Sequence, residues 1–453
     1  MIHKFEFDGT KIVLDVNSGA VHVMDEPAWE MVDDFYVLVR EDMLSKYRHR
    51  YSEELIGEVL QEMTNLYSEG LLYSEDKFSG PDDVSNDTPV VKSLCLNISH
   101  DCNLRCRYCF AGSGHFGGQR ALMPLETGTR ALDFLLEMSA GRRHCEVDFF
   151  GGEPLMNMAV VRELVSYGRS RAAQLGKEIK FTLTTNAVLL DRETADFLNN
   201  ENISVVLSLD GKPETNDTMR KTVNGGGSYS IIEPKISSFI KGRNNENYIV
   251  RGTYTRHNTG FCGDVLHLAD LGYRYVSVEP VVGMPWNEWS IREADLPAIC
   301  REYELLCREY LNRMQEGRPF EFFHFNLDLN NGPCLPKRIS GCGAGYEYMA
   351  VTPEGDLYPC HQFVGREQYR LGSVWDGITG RQVVDGFRQA HVYNKAKCRD
   401  CWAKFHCGGG CHANAQLVSG SVMEPYHIGC EIEKKRLECA IYIQVLRAGN
   451  TEE

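Results

Sequence analysis

The stretch "HDCNLRCRYCF", His100 to Phe110, holds Cys102, Cys106 and Cys109 within eight residues. It follows "KSLCLNIS", an apolar run that reads as a buried strand, so the cysteines sit where a strand gives way to a turn. Structural zinc wants four protein ligands in a closed tetrahedron. Three cysteines with no nearby fourth suggest a four-iron cluster with one iron left open, and open coordination is how a metal centre takes substrate. The rival is a zinc site completed by His100.

Working outward, "CEVDFFGG", "IKFTLTTNA", "ISVVLSLDG", "YIVRGTYTR" and "RYVSVEPVVG" read as further strands. Helical stretches such as "PLETGTRALDFLLEMSA", "MAVVRELVSYGRSRAAQLG" and "CGDVLHLADLG" fall between them. This alternation predicts a parallel sheet over residues 91–318, open or curled into a barrel; six repeats would make a partial (β/α)6 barrel, short of the usual eight units. Chemistry is expected on the loops after the strand C-termini. The triplet of cysteines, "GGEP" (Gly151 to Pro154), "TNAVLL" and "SLDG" all follow strands there.

Composition bounds the rest. Lys plus Arg is 48 and Asp plus Glu is 63 among 453 residues, a formal charge of −15. That excess of acid argues against nucleic-acid binding. No apolar run is long enough to span a bilayer, and "MIHKFEFDGTKIV" lacks the apolar core of an export signal. A cytoplasmic protein is expected, in which the 17 cysteines serve metal or catalysis rather than disulfides.

Those cysteines cluster. The first 94 residues have none, whereas Cys334 to Cys430 contains eight. Cys398, Cys401, Cys407 and Cys411 read Cys-x2-Cys-x5-Cys-x3-Cys, with Cys342 and Cys360 upstream and Cys430 downstream. Two zinc ribbons would need eight ligands, and this pattern offers seven. The region 319–453 has few long apolar runs and is expected to bury little core and fold around metal. Cys95, Cys145, Cys262, Cys300, Cys307 and Cys439 lie in strands or helices and read as small buried residues.

Residues 1–75 read as a small α+β, winged-helix-like module. "KFEFDG", "KIVLDVNSG" and "AVHVMD" are short strands around Asp-Gly and Asn-Ser-Gly turns. "EPAWEMVDDFYVLVR" and "SEELIGEVLQEMTNLYSEG" follow as helices, the second capped by Ser52. Residues 76–90, within "SEDKFSGPDDVSNDTP" and just beyond, read as a linker.

Taken together, the chain resembles the radical S-adenosylmethionine (SAM) superfamily. The spacing of Cys102, Cys106 and Cys109, with Tyr108 before the last, is similar to that family's signature, and "GGEP" to its methionine-binding motif. The later cysteines resemble the SPASM extension of peptide-modifying members. "GCGAGYEYMAVTPEGDLYPCHQFVG" and residues 398–430 look most similar to thioether-forming maturases of six-cysteine peptides (the sactisynthases).

The resemblance implies three [4Fe-4S] clusters. SAM would complete the one at Cys102, Cys106 and Cys109. Cys398, Cys401, Cys407 and Cys430 would hold one auxiliary cluster, and Cys342, Cys360 and Cys411 the other. The latter is either completed by Cys334 or open to a substrate thiolate. Gly151, Gly152, Glu153, Pro154, Ser208, Arg220 and Tyr108 are the implied SAM contacts, Tyr108 against adenine.

Residues 1–75 resemble the recognition element that binds the leader of a cysteine-rich precursor peptide. A flavodoxin or ferredoxin would supply electrons. The implied reaction is thioether formation, from cysteine sulfur to Cα, through a 5′-deoxyadenosyl radical. Sulfatase-maturing relatives, which oxidise Cys or Ser to formylglycine, carry Asp after the ligand matching Cys360; here it is His361. A non-catalytic zinc-binding adaptor is the remaining alternative.

Overall fold

The computed structural model describes residues 1–78, 89–329 and 335–449. Most of the linker and Cys334 therefore lie outside the described residues. The chain opens with β1 (Ile2–Phe7), β2 (Thr10–Asp15) and β3 (Val21–Met24), an antiparallel sheet in that order. Asp8 and Gly9 join β1 to β2 with φ of 47° and 80°. Two positive φ values make the tight hairpin turn that Asp-Gly favours.

Three helices follow, α1 (Glu26–Phe35), α2 (Arg40–Tyr47) and α3 (Glu53–Ser68). The sequence suggested one helix from 26 to 40, but α1 stops at Phe35. Val37 and Val39 beyond it are exposed and β-branched, so nothing rewards continuing the turn. Restarting at Arg40 lets Met43 and Tyr47 pack with Ile56, Val59 and Met63 of α3. Ser52 caps α3, its hydroxyl accepting from Leu55 N at 3.2 Å.

The main body alternates strand and helix. β4 (Ser93–Ser99) is followed by α4 (Leu125–Met138), β5 (His144–Gly151), α5 (Met158–Gln174) and β6 (Glu178–Thr185). Next come α6 (Arg192–Asn200), β7 (Ser204–Ser208), α7 (Pro213–Met219), α8 (Tyr229–Gly242) and β8 (Tyr248–Tyr254). α9 (Cys262–Asp270), β9 (Tyr275–Pro280), α10 (Leu296–Gln315) and the two-residue β10 (Glu321–Phe322) complete the run. Strands β4 to β10 lie side by side in chain order and all parallel, a partial barrel.

One face of each strand is apolar and packs on the helices. Val147 and Phe149, Phe181 and Leu183, Val205 and Leu207, Val250, and Val276 and Val278 form one core with Leu132, Leu164 and Leu268. The alternate residues face the barrel lumen: Asp148 and Phe150 on β5, Thr182 on β6, Ser208 on β7, Arg251 on β8, Ser277 and Glu279 on β9.

The C-terminal region buries more core than its sequence suggested. α11 (Leu335–Ser340) leads to β11 (Tyr348–Val351), which pairs parallel with β4. β12 (Asp356–Tyr358), β13 (Gly372–Ser373) and β14 (Gly377–Ile378) extend the same sheet antiparallel, to eleven strands among the described residues. Ala350, Tyr358, Phe363, Phe387 and Ala413 pack with Cys95 and Phe116 in a separate core against the lumen side of β4. Strands this short carry too few alternations to be seen as a period.

α12 (Arg381–Gln389), α13 (Ala396–Arg399), α14 (Lys404–Cys407), α15 (His412–Ser419) and α16 (His427–Gly449) finish the chain. α16 returns along α10, and its Tyr442 stacks on Phe7 of β1 with ring centroids 4.4 Å apart. No helix among the described residues is long and apolar enough to cross a membrane.

Candidate functional site

The loop after β4 is fixed from both sides. Gly152 N donates to Ser99 O at 2.7 Å, and Glu153 N to Asp101 O at 2.9 Å. A Cβ on Gly151 would stand 2.3 Å from Ser99 O, and one on Gly152 would stand 2.2 Å from Asp101 O. Both glycines are therefore needed for the two strand ends to meet. On the other side Arg105 N donates to Lys221 O at 2.7 Å and Arg107 N to Met219 O at 2.9 Å.

Held this way, the thiols of Cys102, Cys106 and Cys109 lie within electrostatic reach of one another. Burial pushes Cys102 up to about 12 and Cys106 to about 11, so both are neutral thiols until a metal takes their protons. Donors wait for that charge. Leu104 N and Asn186 Nδ2 point at Cys102 Sγ from 3.4 and 3.6 Å. Asn103 Nδ2 and Arg220 Nε are buried with no hydrogen-bond partner among the described residues. Unpaired buried donors beside thiols fit a bound anionic group.

Glu153 is fully buried, and its carboxylate is already engaged. It accepts from Thr185 Oγ1 at 2.7 Å, Asn186 N at 2.8 Å and Leu155 N at 3.0 Å. Pro154 starts the short turn that follows it. Tyr108 donates from its hydroxyl to Asp210 Oδ2 at 2.6 Å and accepts from Arg220 Nη1 at 3.0 Å. Arg220 also lies 3.7 Å from Asp210 Oδ1. This buried triad ties the cysteine loop to the end of β7 and to the turn after α7. Ser208 sits one strand-repeat before Asp210, paired in register with Arg251.

The later cysteines fall into two groups. The thiol of Cys360 feels those of Cys411 and Cys342, and Cys411 that of Cys342. Cys398 feels Cys430 and Cys401, Cys407 feels Cys430 and Cys398, and Cys430 feels Cys401. Gly408, Gly409 and Gly410 separate the groups, with φ of 66°, 91° and 73°. Three left-handed residues in succession turn the chain sharply after Cys407, so Cys411 emerges toward the other set. Among the described residues no three His, Cys, Asp or Glu side chains are grouped so as to hold a single metal ion.

Between the first cysteines and the three-thiol set, aromatic rings line the lumen. His361, next to Cys360, lies 5.5 Å from the Phe110 ring and 4.8 Å from the Phe150 ring, centroid to centroid. Its Nδ1 is 3.1 Å from the Tyr348 hydroxyl. Burial lowers His361 to about 4, leaving the ring neutral at pH 7. Deeper in, Arg251 pairs with Glu279 at 2.8 Å, and Ser277 Oγ meets His324 Nε2 at 3.1 Å. His406 and His412 are likewise buried beside cysteines, lowered by burial to about 4 and about 3.

Sequence reasoning missed Asp210, although its position just past the end of a parallel strand is a usable signal. It missed Asp148 and Tyr348, whose lumen placement depends on register. Lys395 gave no signal: "NKAKC" reads as solvated charge.

Two family models match the chain, a 4Fe-4S single cluster domain over residues 91–232 and an iron-sulfur cluster-binding domain, SPASM, over 342–402. Radical SAM cyclopropyl synthase TigE of Paramaledivibacter caminithermalis is 22% identical over 76% of this chain and 72% of its own. A cysteine-type anaerobic sulfatase-maturating enzyme of Clostridium novyi is 24% identical over 72% of this chain and 90% of its own. Among solved structures, Streptococcus suis SuiB has been determined with S-adenosylmethionine and with its precursor peptide SuiA. It is 18% identical, covers 94% of this chain and 98% of its own, and superposes with TM-scores of 0.53 and 0.52. At that identity the likeness is one of fold.

Proposed function

Because the chain is a radical SAM protein with a SPASM domain, we propose that it modifies a ribosomally made, cysteine-rich peptide by joining a cysteine sulfur to an α-carbon. The observation that carries this reading is the lumen. There Cys109 of the first set and Cys360 of the three-thiol set pack into one core with Phe150, and the rings of Phe110, Phe150 and His361 meet beside them. Exposure of Cys342 and Cys411 supports a three-thiol set completed by a substrate thiol rather than by Cys334, which lies outside the described residues.

When bound at Cys102, Cys106 and Cys109, a [4Fe-4S] cluster with SAM supplies a 5′-deoxyadenosyl radical, which abstracts hydrogen. The chain's own residues do the rest. Gly151 and Gly152 bring the "GGEP" turn within reach of the cysteine loop, and Glu153 braces Asn186 beside Cys102. Tyr108 and Asp210 hold Arg220 with its Nε free, aimed by the same buried network. With Ser208 at the end of β7, these form the surface assigned to SAM. The rings of Phe110, half exposed, and Phe150 stack beside His361 and line the space between the two thiol sets.

Substrate capture is assigned to residues 1–75. β3 has β2 on one side and no strand on the other among the described residues. Exposed Val23, Tyr36, Val37 and Tyr67 lie on this unit, a surface suited to an added leader strand. Among solved structures, anSMEcpe with a bound Kp18Cys peptide covers 79% of the chain at a TM-score of 0.65, and SuiB with its precursor peptide covers 94% at 0.52. The additional share that SuiB covers supports a leader-dependent substrate. His361, a neutral ring where sulfatase-maturing relatives have Asp, counts against formylglycine formation.

The test uses reduced, iron-reconstituted enzyme, SAM and a leader-bearing cysteine-rich peptide. A product lighter by two hydrogens and missing one alkylatable thiol is expected. An aldehyde product, or dehydrogenation with every thiol retained, overturns the thioether reading.

A further inference from the structure

Lys395 is 0% exposed, one of the largest fully buried side chains in the molecule. Its ammonium donates to Gly409 O at 2.8 Å. A lysine has only donors, so the 3.3 Å contact with His412 Nδ1 makes that nitrogen the acceptor. No carboxylate lies within ion-pair distance of it among the described residues. The contrast is Lys404, nearly as buried, which meets Asp76 at 3.1 Å. A buried cation without a counter-charge is costly. The geometry sets Lys395 among the cysteines instead: Cys398 N donates to Lys395 O at 2.9 Å, and Gly409 stands midway between Cys407 and Cys411. Burial lowers the Lys395 ammonium from the usual lysine range, and the thiols of Cys398 and Cys407, then Cys411 and Cys342, oppose that by favouring its charge. Gly409 completes the arrangement: its left-handed backbone turns a carbonyl onto the ammonium while carrying the chain from one set to the other.

We propose that Lys395 is a counter-charge shared by the two auxiliary cysteine sets, a positioning residue that raises the reduction potential of the clusters they hold. This rests on the reading of both sets as cluster ligands. Ligation turns the thiols into thiolates and places net negative charge on both sides of the ammonium. Each electron added to a cluster adds one more unit of negative charge. A fixed positive charge nearby favours that reduced form, more strongly where water is excluded. Cys398 is the leading partner, so the four-thiol set should feel Lys395 more.

The test is an EPR-monitored redox titration of the full, iron-reconstituted chain. Iron content and cluster signals of the unaltered protein come first, and they judge the cluster reading independently. Lys395→Met and Lys395→Gln remove the charge, and the Gln variant keeps a donor for Gly409 O. Lys395→Arg keeps the charge. In the neutral variants both auxiliary signals should move to lower potential, by about tenfold in the reduced-to-oxidised ratio at fixed potential, or about 59 mV for a one-electron couple. The cluster at Cys102, Cys106 and Cys109 should not move, and the Arg variant should stay near the unaltered protein. Loss of auxiliary iron in both neutral variants with retention in the Arg variant also supports the proposal. Loaded neutral variants with unchanged potentials overturn it. So does an Arg variant that behaves like the neutral ones in potential or loading, since shape rather than charge would then be what matters.

Discussion

Single residues in this protein are constrained by what lies opposite them, and two predictions follow at that scale. Gly152 faces Asp101 O at a distance no Cβ tolerates. Gly152→Ala must push backbone against backbone, with an expected loss of about 1–3 kcal/mol. It should also lose iron at the Cys102 loop while the auxiliary sites stay loaded, which iron analysis beside thermal melting would show. Asp148 is raised by burial to about 6, with the Glu146 charge adding to the push and the Thr182 hydroxyl opposing it. An unfolded Asp titrates near 3.9. Between those values the folded chain binds the extra proton, so stability falls as pH rises through the window. Asp148→Asn should therefore melt higher than the unaltered protein at pH 8, with most of the gain gone at pH 4.5.

Legibility at this scale followed a simple rule. Cysteines at short spacings announced themselves, and the glycines of "GGEP" came with a strand to end. Asp210 and Lys395 did not, because a buried charge looks like a surface charge until its hydrogen-bond partners are known, and Tyr108 for Asp210, like Gly409 and His412 for Lys395, lies well away in sequence.

At the scale of elements, length and periodicity decided what could be read. The six long strands β4 to β9 were legible from apolar runs between helices, and Ser52 marked the start of α3. The break between α1 and α2 was not, since it depends on Val37 and Val39 having nothing to pack on. β11 to β14 have two to four residues each; β11 is held by pairing onto β4 and the others each by the strand before, a tertiary effect that local sequence does not encode.

β3, one of the two edge strands of the N-terminal sheet, gives the prediction here. Val23 is 59% exposed on it, so Val23→Asp should leave the fold intact. It should weaken binding of a leader-bearing peptide by about tenfold, some 1.4 kcal/mol, while SAM cleavage without peptide is unchanged. Fluorescence anisotropy with a labelled leader peptide measures it; unaltered affinity would remove β3 from the binding surface.

For the whole molecule, the sheet itself places the thiol sets. β11 joins the C-terminal region to β4, the strand that leads into Cys102, and Cys109 and Cys360 pack into the same core beside it. That arrangement needs no long connection or mobile domain to bring a peptide between them. Removing the open thiol set should then separate the two halves of the chemistry. Cys342→Ala with Cys411→Ala is expected to keep SAM cleavage and lose crosslinked product, as read by 5′-deoxyadenosine and peptide mass.

The central claim is that hydrogen leaves an α-carbon and sulfur takes its place. A precursor peptide deuterated at its α-carbons tests it most directly. The account predicts one deuterium in 5′-deoxyadenosine for each crosslink, with one cysteine thiol lost from the same peptide. Deuterium retained in full by a peptide that has been modified, or transferred with all thiols still alkylatable, would contradict it.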